Sequence, residues 1–534
     1  MLKYLEYHKD TYTGYHTYAK SDECIQKYKH IMNNSLELTT RLSDTSVYTY
    51  RLEESNTCSA VGTSSEFINC LKYCKSNPNK LCEVSLNTDI TFVNTDIDIT
   101  DNFNNPLDLK IRPANTGFMI SKTVSNDDYT PTLELSNTTI FCKSLDISGI
   151  NLNVHDVSKD HAAITIQETL KIQEGSHNFY NNTCADLSGG GAIFAGSSIS
   201  FIDTCMSFSD NSSHLYGGAI YSNSDINMMG GNIIFNGNYS ISRDGGAINS
   251  VNSTIVKDAN ITFSDNHSGE NGGAINSNRD IYVMGGNITF SSNHSNLGAG
   301  GAIYSYIGDI SFIDSSITFI DNYSISGDGG AILHNSGEMT FAGGLYEFYN
   351  NQLLDLSKHG SAIGGDKILI DNSSQKTTLH FIDNSGKSTI WINNFDTSLA
   401  CSEPNVTISG CNNIYNFTHN LVNTGIFSFK DNLFMAGGSW DFSNNTYGNK
   451  KSTTALYGNN IATSKIHLRY ADFSFDNTLV TVNATPDVSN IGKIKGTSAT
   501  QEEKYYDYNI FLTSEFNGHA AIEISTNRYN PLPP

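Results

Sequence analysis

Two short phrases recur in alternation through the middle of this chain of 534 residues, and they constrain its fold more than any other feature. The first phrase, GGAI, begins at Gly190, Gly217, Gly245, Gly272, Gly300 and Gly329. Degenerate copies, HAAI and GSAI, begin at His161 and Gly360. The second phrase, FxxN, begins at Phe179, Phe208, Phe235, Phe263, Phe290, Phe319, Phe348 and Phe381. Successive GGAI copies lie 27 to 29 residues apart. Two phrases that stay in phase over so many copies indicate one repeated structural unit.

Each unit reads as short strands separated by Gly, Ser or Asp turns, as in Ile281-x-Val283 and Ile288-x-Phe290, and GGAI opens a third strand. A period of this length with three short strands and no helical pattern is typical of one coil of a β-helix, whose coils stack about 4.8 Å apart. We therefore predict an all-β fold, a right-handed single-stranded parallel β-helix. An antiparallel propeller or sandwich is the disfavoured alternative, because hairpin signals are nearly absent between the strands.

In-register stacking would turn each repeated residue into a column. The predicted interior columns are aromatic (Phe208, Phe235, Phe263, Phe290 and Phe319) and aliphatic (from Ile193 to Ile332). The asparagines that end FxxN should form a ladder of amides bonded to each other and to turn backbone, since Asn supplies donors and acceptors and tolerates the left-handed conformation. This ladder consists of Asn211, Asn238, Asn266, Asn293 and Asn322. The double glycines, which would permit positive φ at a tight corner, are Gly217 and Gly218, Gly245 and Gly246, Gly272 and Gly273, Gly300 and Gly301, and Gly329 and Gly330.

Outside the clear repeats, at about 160–390, the pattern weakens and suggests three regions. We predict a Cys- and Tyr-rich N-terminal cap over 1–82, the β-helix over 83–480, and a C-terminal tail or cap over 481–534. A cap is expected because the first coil would otherwise expose an open strand edge, and EFINCLKYCK within it predicts a helical turn. Ten cysteines favour disulfides without convincing zinc spacing. The candidates are Cys24, Cys58, Cys70, Cys74 and Cys82 in the cap, and Cys401 and Cys411 beyond the repeats.

The charge balance argues against several partners. A formal net charge of −22 repels a phosphate backbone, so no nucleic-acid partner is expected. No run approaches the roughly 18 apolar residues that a membrane helix needs. The first residues lack the apolar core of a secretory leader, so no cleavable signal peptide is expected in this chain.

GGA[ILV] alternating with FxxN resembles the repeat signature of the chlamydial polymorphic membrane proteins and of similar surface proteins of trichomonad protists. YGNNIATSKI at 457–466 resembles the phrase that closes the repeats in that family. The resemblance implies a β-helical surface domain that adheres to host cells, with a signal peptide and a C-terminal membrane barrel in the bacterial members. The last 50 residues are too few for eight or more strands of about ten residues each. The chain is therefore expected to be a passenger region, a protist surface protein or a fragment.

The main rival function is cleavage of a polysaccharide, because β-helices also carry pectin-type lyases and hydrolases. Asp210, Asp265 and Asp321 precede the ladder asparagines, but Gly237 and Ser292 occupy the coils between them. Acids about 10 Å apart indicate avoidance of stacked like charges more than an assembled site. We expect no catalysis and no cofactor, and a β-helix enzyme or a structural coat component remains as an alternative.

His267 and His294 follow the ladder asparagines in adjacent coils, about one coil spacing apart, which is one arrangement for sharing a metal ion. Tyr239 and Tyr323 occupy the same position in other coils, which indicates ring stacking on a surface instead. The segments between FxxN and GGAI differ while their flanks repeat, so 239–244, 267–271 and 294–299 are the expected binding edge, with plain solvated loops as the alternative. We predict an extracellular or surface-displayed adhesin that binds a host-cell surface protein or glycan.

Sixteen Asn-x-Ser/Thr triplets occur, including those at Asn137, Asn211, Asn238 and Asn260. Composition alone would produce about a dozen in a chain this rich in Asn, Ser and Thr. They are therefore a weak sign of N-glycosylation.

Overall fold

The computed structural model describes residues 130–186, 189–371 and 376–396 without interruption, together with shorter segments between 56 and 122 and between 414 and 522. The described strands wind into a parallel β-helix with about eight regular turns about 29 residues apart. This confirms the predicted all-β parallel solenoid. The helical turn expected at EFINCLKYCK is present as an α-helix, α1, over Ser64–Lys75.

A regular coil contains four strands, which we name A to D. In one central coil strand A is Ile248–Ser250, strand B is Thr254–Lys257, strand C is Asn260–Ser264 and strand D is His267–Ser268. Strands A, B and C are the three that the sequence predicts. Strand D is an addition, because a strand of two residues has no alternation that a sequence pattern could reveal.

Strands of one letter pair in parallel with those of the neighbouring coils and form four columns, as the pairs Ile248 with Ile275 and His267 with His294 illustrate. Column A comprises Asp96–Asp98, Leu109–Lys110, Thr139–Cys142, Ile164–Ile166, Ile193–Ala195, Ile220–Ser222, Ile248–Ser250, Ile275–Ser277, Ile303–Ser305, Thr454–Gly458 and Val480–Val482. Column B comprises Asn56–Val61, Cys82–Leu86, Gly117–Lys122, Ser144–Ser148, Leu170–Gln173, Ile199–Ile202, Ile226–Met229, Thr254–Lys257, Ile281–Met284, Lys465–Arg469 and Thr485–Val488.

The other two columns follow the same rule. Column C comprises Ile90–Val93, Thr132–Ser136, Asn151–His155, Ser176–Tyr180, Cys205–Ser209, Asn232–Asn236, Asn260–Ser264, Asn287–Ser291, Thr377–Ile382, Ile414–Thr418, Ser439–Asp441, Asp472–Asp476 and Lys493–Thr497. Column D comprises Ser158–Lys159, Thr183–Cys184, Ser212–Ser213, Tyr239–Ser240, His267–Ser268, His294–Ser295, Tyr323–Ser324, Gln352–Leu353 and Thr446–Tyr447.

Later coils join neighbouring strands into longer ones. Ile310–Ile320 runs through B and C, Ile332–Tyr349 through A to C, Ile363–Asp371 through A and B, and Ser385–Asp396 and Leu421–Ala436 through D, A and B. Antiparallel pairs join Thr446–Tyr447 to Lys450–Lys451, Lys493–Thr497 to Glu503–Asp507, and Leu512–Phe516 to His519–Ile522.

Parallel pairing reaches into both regions that the sequence assigns to the ends. Asn56–Val61 pairs with Cys82–Leu86, and Asp472–Asp476 pairs with Lys493–Thr497. The boundaries at 82 and 480 themselves stay predictions.

Inside the coils, apolar side chains form the two predicted stacks, one aromatic and one aliphatic. Phe263 and Phe290 are 1% and 2% exposed, with ring centroids 4.8 Å apart and planes 2° from parallel. The same stacking repeats from Phe179 to Phe417, and the isoleucines that follow the glycines are buried beside it. Because side chains fill the interior, recognition has to use the outer surface of the coils.

Candidate functional site

The asparagine ladder fixes the position at which each coil turns from strand C into strand D. Nδ2 of Asn238 donates to Phe208 O in the preceding coil and to Asn266 Oδ1 in the following coil, both at 2.9 Å. The backbone N–H of Asn238 donates to the same Oδ1 at 3.0 Å. This pattern links ten buried asparagines, namely Asn182, Asn211, Asn238, Asn266, Asn293, Asn322, Asn351, Asn384, Asn420 and Asn445. The five predicted asparagines thus form the centre of a longer ladder.

The sequence predicts a left-handed conformation at the asparagines, but in the eight coils from Asn182 to Asn384 it belongs instead to the residue before each asparagine. Asp265 has φ of 55° and Ser292 has φ of 55°, as the chain reverses its side-chain direction between strands C and D. The asparagine itself is needed for its amide, which both donates and accepts. Asp, Asn and Gly, which adopt αL more readily than other residues, occupy this preceding position in seven of the eight coils, and Ser292 occupies it in the eighth.

The two glycines of each GGAI have different functions, which the sequence analysis did not separate. Gly272 has φ of +64°, so it makes the predicted corner. Gly273 has no positive φ, but a Cβ there would lie 2.0 Å from Gly301 O and 2.5 Å from His294 N. The first glycine is therefore required by backbone conformation and the second by the close approach of adjacent coils.

The acidic residues alternate with neutral ones along two turns, not one. Besides Asp210, Asp265 and Asp321, a second column at the turn between strands B and C contains Asp203, Gly230, Asp258, Gly285, Asp314 and Gly343, all with positive φ. A Cβ on Gly230 would lie 2.0 Å from Asp203 Oδ1 and one on Gly285 would lie 2.3 Å from Asp258 Oδ1, so these two carboxylates lean over the glycine of the next coil. Alternation of Asp with Gly therefore separates the negative charges and also leaves space for the Asp side chains.

Four rings stack along the outer surface of column D, and we call them the ring stack. Tyr239, His267, His294 and Tyr323 have successive centroid distances of 5.0, 5.0 and 4.7 Å and interplanar angles of 1° to 7°. This confirms the stacking that the exchange of His with Tyr predicts. Over the residues that the structure describes, no group of three or more His, Cys, Asp or Glu side chains is arranged to hold a metal ion.

The ring stack is uncharged near neutral pH. Burial lowers the pKa of His267, and burial together with repulsion from the protonated form of His267 lowers the pKa of His294 to about 4. Burial also raises the pKa of Tyr323, with a further contribution from Asp265. Because the rings cover each other's faces, the stack presents polar ring edges to solvent.

The segments that follow strand D form a continuous edge, which we call the loop edge and define as 241–244, 269–271, 296–299, 325–328 and 354–359. It is narrower than the predicted segments, because their first two residues belong to strand D and the second of these, such as Ser268, is buried. The loops are tied across coils: Asp244 Oδ1 accepts from the backbone and side-chain nitrogens of Asn271, both at 2.9 Å. Arg243 pairs with Glu270 at 3.2 Å.

Five aliphatic side chains project from the loop edge, and the repeat pattern does not predict them. Their exposed fractions are 54% for Ile241, 76% for Leu297, 37% for Ile325, 54% for Leu354 and 52% for Leu356. Isolated Ile and Leu residues within otherwise polar segments were the available signal. Aliphatic groups clustered on one edge, beside polar ring edges, provide the mixed surface that protein interfaces use.

A sequence profile of the Chlamydia polymorphic membrane protein repeat matches at residues 206–223, 260–278 and 287–306. The chain carries the repeat of the Chlamydia polymorphic membrane proteins. No curated protein and no solved structure matches the chain in the corresponding searches. Each of the three matches begins in strand C and runs through strand D, the following loop and GGAI to the end of strand A, and the second and third include loop-edge segments 269–271 and 296–299. The polymorphic membrane protein repeat therefore coincides with the part of the coil that forms the ladder and the edge.

The predicted disulfide cysteines all lie outside the matched polymorphic membrane protein repeats. Cys70 is buried on helix α1 and is disulfide-bonded, as is Cys205, which the sequence analysis did not single out. Cys58 and Cys82 lie in paired strands and Cys74 lies in α1, whereas Cys24, Cys401 and Cys411 are outside the described residues. Which cysteines pair with one another stays a prediction. Within the described part of the chain, no helix has the length and apolar character to cross a bilayer.

Proposed function

We propose that this protein is an adhesin-like β-helix, displayed outside the cell or on its surface, which binds a host-cell surface protein or glycan through the loop edge. The observation that carries the proposal is the row of exposed aliphatic side chains beside the ring stack, of which Leu297 is the most exposed at 76%. The presence of polymorphic membrane protein repeats in this chain supports a location of the protein at the cell surface.

The geometry of the edge favours many weak contacts over one deep pocket. Adjacent coils present their loops about 4.8 Å apart, so a partner that contacts several coils gains avidity from their number. The cross-coil bonds, such as those of Asp244 with Asn271, hold the loops in place before a partner arrives. Less conformational entropy is then lost on binding.

Of the two partner classes, the edge favours a protein. Saccharides commonly stack on an open aromatic face, but His267 and His294 each have a ring on both sides. Only the outer faces of Tyr239 and Tyr323 lie at the ends of the stack. Exposed Leu297, Leu354 and Leu356 instead suit the apolar centre of a protein interface.

The test replaces all five segments of the loop edge (241–244, 269–271, 296–299, 325–328 and 354–359) by Gly/Ser segments of the same length, leaving strand D and the glycine phrases unchanged. The variant should keep its β-type circular dichroism and lose binding to cultured epithelial cells, measured by flow cytometry. The matched control changes the exposed Asn260 and Asn287 on strand C to Ser, and it should bind as the unmodified protein does. Binding that survives in a folded loop variant would place the activity elsewhere on the chain.

Treatment of the cells separates the two partner classes. Mild protease treatment should abolish binding if the partner is a protein, whereas periodate oxidation should abolish it if the partner is a glycan. We expect sensitivity to protease.

A further inference from the structure

Five of the ladder asparagines are also the first residue of an Asn-x-Ser triplet, the acceptor sequence for N-linked glycans. These triplets begin at Asn211, Asn238, Asn266, Asn293 and Asn322. They arise from the coil itself, because an inward-facing serine of strand D stands two residues after each of these five asparagines. These serines, Ser213, Ser240, Ser268, Ser295 and Ser324, are all buried.

The acceptor nitrogen of each triplet is enclosed by the fold. All five asparagines are 0% exposed. In Asn266 both hydrogens of Nδ2 are used, one by Phe235 O at 3.0 Å and one by Asn293 Oδ1 at 2.9 Å. Asn238 and Asn293 are bonded in the same way. The side chains have neither access to an enzyme nor a spare hydrogen.

Two other triplets in the same coils have the opposite geometry. Asn260 and Asn287 open strand C in adjacent coils, with their side chains exposed on the outer face. Nδ2 of Asn260 is at the exposed surface, where it donates one hydrogen bond to Asn232 Oδ1 at 3.0 Å. A glycan on either residue would extend away from the coil, so these two triplets provide an internal comparison.

We propose that the coils close only if the five ladder asparagines escape N-glycosylation, whereas Asn260 and Asn287 accept a glycan without loss of the fold. In the transfer, C1 of the oligosaccharide leaves a lipid diphosphate and bonds to Nδ2, which releases one proton. The modified amide retains one N–H, so at least one of its two ladder bonds is lost. The sugar would also have to occupy the space of the neighbouring coil.

Loss of the ladder bonds would be severe because glycan transfer precedes folding. Glycan transfer acts on an extended chain during its export, before the coils can bury the triplets. A chain that enters a glycosylating compartment would therefore be modified at the ladder before it folds. The protein is accordingly built to fold in a compartment without N-glycosylation, and a bacterial cell or its surface is the setting that this chemistry favours.

The experiment expresses the full chain in bacteria and, behind a secretion leader, in mammalian cells. Mass spectrometry measures occupancy of each triplet, and limited proteolysis measures folding. We expect the bacterial protein to resist protease. The mammalian product should carry glycans at ladder asparagines and should be cleaved rapidly.

Two rescues test the cause. Replacing Ser213, Ser240, Ser268, Ser295 and Ser324 by Ala removes the five acceptor triplets and leaves the asparagines in place, and it should restore resistance in the mammalian product. Replacing Thr262 and Thr289 by Ala removes only the triplets at Asn260 and Asn287 and should not restore resistance. If the serine variant fails to fold in bacteria, unmodified chain from cells treated with tunicamycin replaces it.

Three results would each overturn the proposal. The first is a protease-resistant mammalian product with glycans on the ladder. The second is a ladder that stays unoccupied during export. The third is a chain that remains protease-sensitive after tunicamycin although the bacterial protein is resistant.

Discussion

Oδ1 of Asn266 accepts two hydrogen bonds from Asn238, one from Nδ2 at 2.9 Å and one from the backbone N–H at 3.0 Å. The Nδ2 of Asn266 continues the chain of bonds to Asn293. Each side chain thus joins three coils, and every polar atom of its amide is used. Asp would lack the two donors and Gln would be one methylene too long, which explains why one residue type fills the column.

Truncation of the ladder should be costly. Asn266→Ala removes the acceptor of two buried donors of Asn238 and the amide that donates to the buried carbonyl of Phe235, and each buried group left unpaired costs about 1–3 kcal/mol. We expect a loss of at least about 3 kcal/mol in the free energy of unfolding, measured in urea. Asn260→Ala, an exposed asparagine of the same coil, should change it by less than about 0.5 kcal/mol. Equal losses for the two variants would show that the ladder is not a major source of stability.

The aromatic column should behave as a tightly packed core. Phe263→Ala removes a ring that is 1% exposed and stacked at 4.8 Å on both Phe235 and Phe290, so we expect a loss of about 3–5 kcal/mol. Thr262→Ala, on the outward face of the same strand, is the control. Denaturant unfolding of both variants provides the comparison, and a loss below about 1 kcal/mol for Phe263→Ala would contradict the packing described.

Acidic residues alternate with neutral ones before the ladder asparagines, so an acid placed at a neutral position should lower the stability of the fold. Ser292 already has a side chain at φ of 55°, so Ser292→Asp adds charge without backbone strain and places it between Asp265 and Asp321. Burial already raises the pKa of Asp265, and a second carboxylate beside it should raise it further. A carboxyl whose folded pKa is raised destabilises the fold as pH rises through that range, so the thermal midpoint should fall at pH 7 and recover near pH 3.

The neutral variant Ser292→Asn isolates the effect of charge. It should melt as the unmodified protein does at both pH values, and salt near 1 M should reduce the difference between the two variants. A penalty for Asp that is the same at pH 3 and pH 7 would mean that size, not charge, sets the alternation.

The ring stack should make stability depend on pH. The pKa of His294 is lowered from 6.5 to about 4, so the folded state binds fewer protons than the unfolded chain. The contribution to stability is complete above pH 6.5 and is lost as pH falls towards 4. We expect a drop in the thermal midpoint over this range that the double variant His267→Tyr, His294→Tyr reduces, since Tyr occupies the same column naturally at 239 and 323.

Acidic side chains titrate in the lower part of the same range and affect both proteins alike. The informative quantity is therefore the difference between the two melting curves at each pH. A difference that does not change between pH 7 and pH 4.5 would refute the assignment of this pH dependence to the ring stack.

The sequence by itself determined the columns of this protein. A strict period, with strands too short for any other unit, requires coils that stack in register. A residue such as Phe263 or Asn266 then has to meet its own counterpart in the next coil. The fold class, the aromatic column, the amide ladder and the stacking of His267 on His294 all follow from that single geometric fact.

Only the tertiary structure decided features that depend on where a side chain points and what the next coil places opposite it. Strand D is too short for a pattern, and the separate requirements of Gly272 and Gly273 are visible only from φ and from the distance to Gly301 O. The exposure of Leu297 and the burial of the Asn-x-Ser triplets are likewise invisible to spacing. Periodicity specifies which residues share a column, whereas direction and separation from neighbouring coils decide which columns contact solvent.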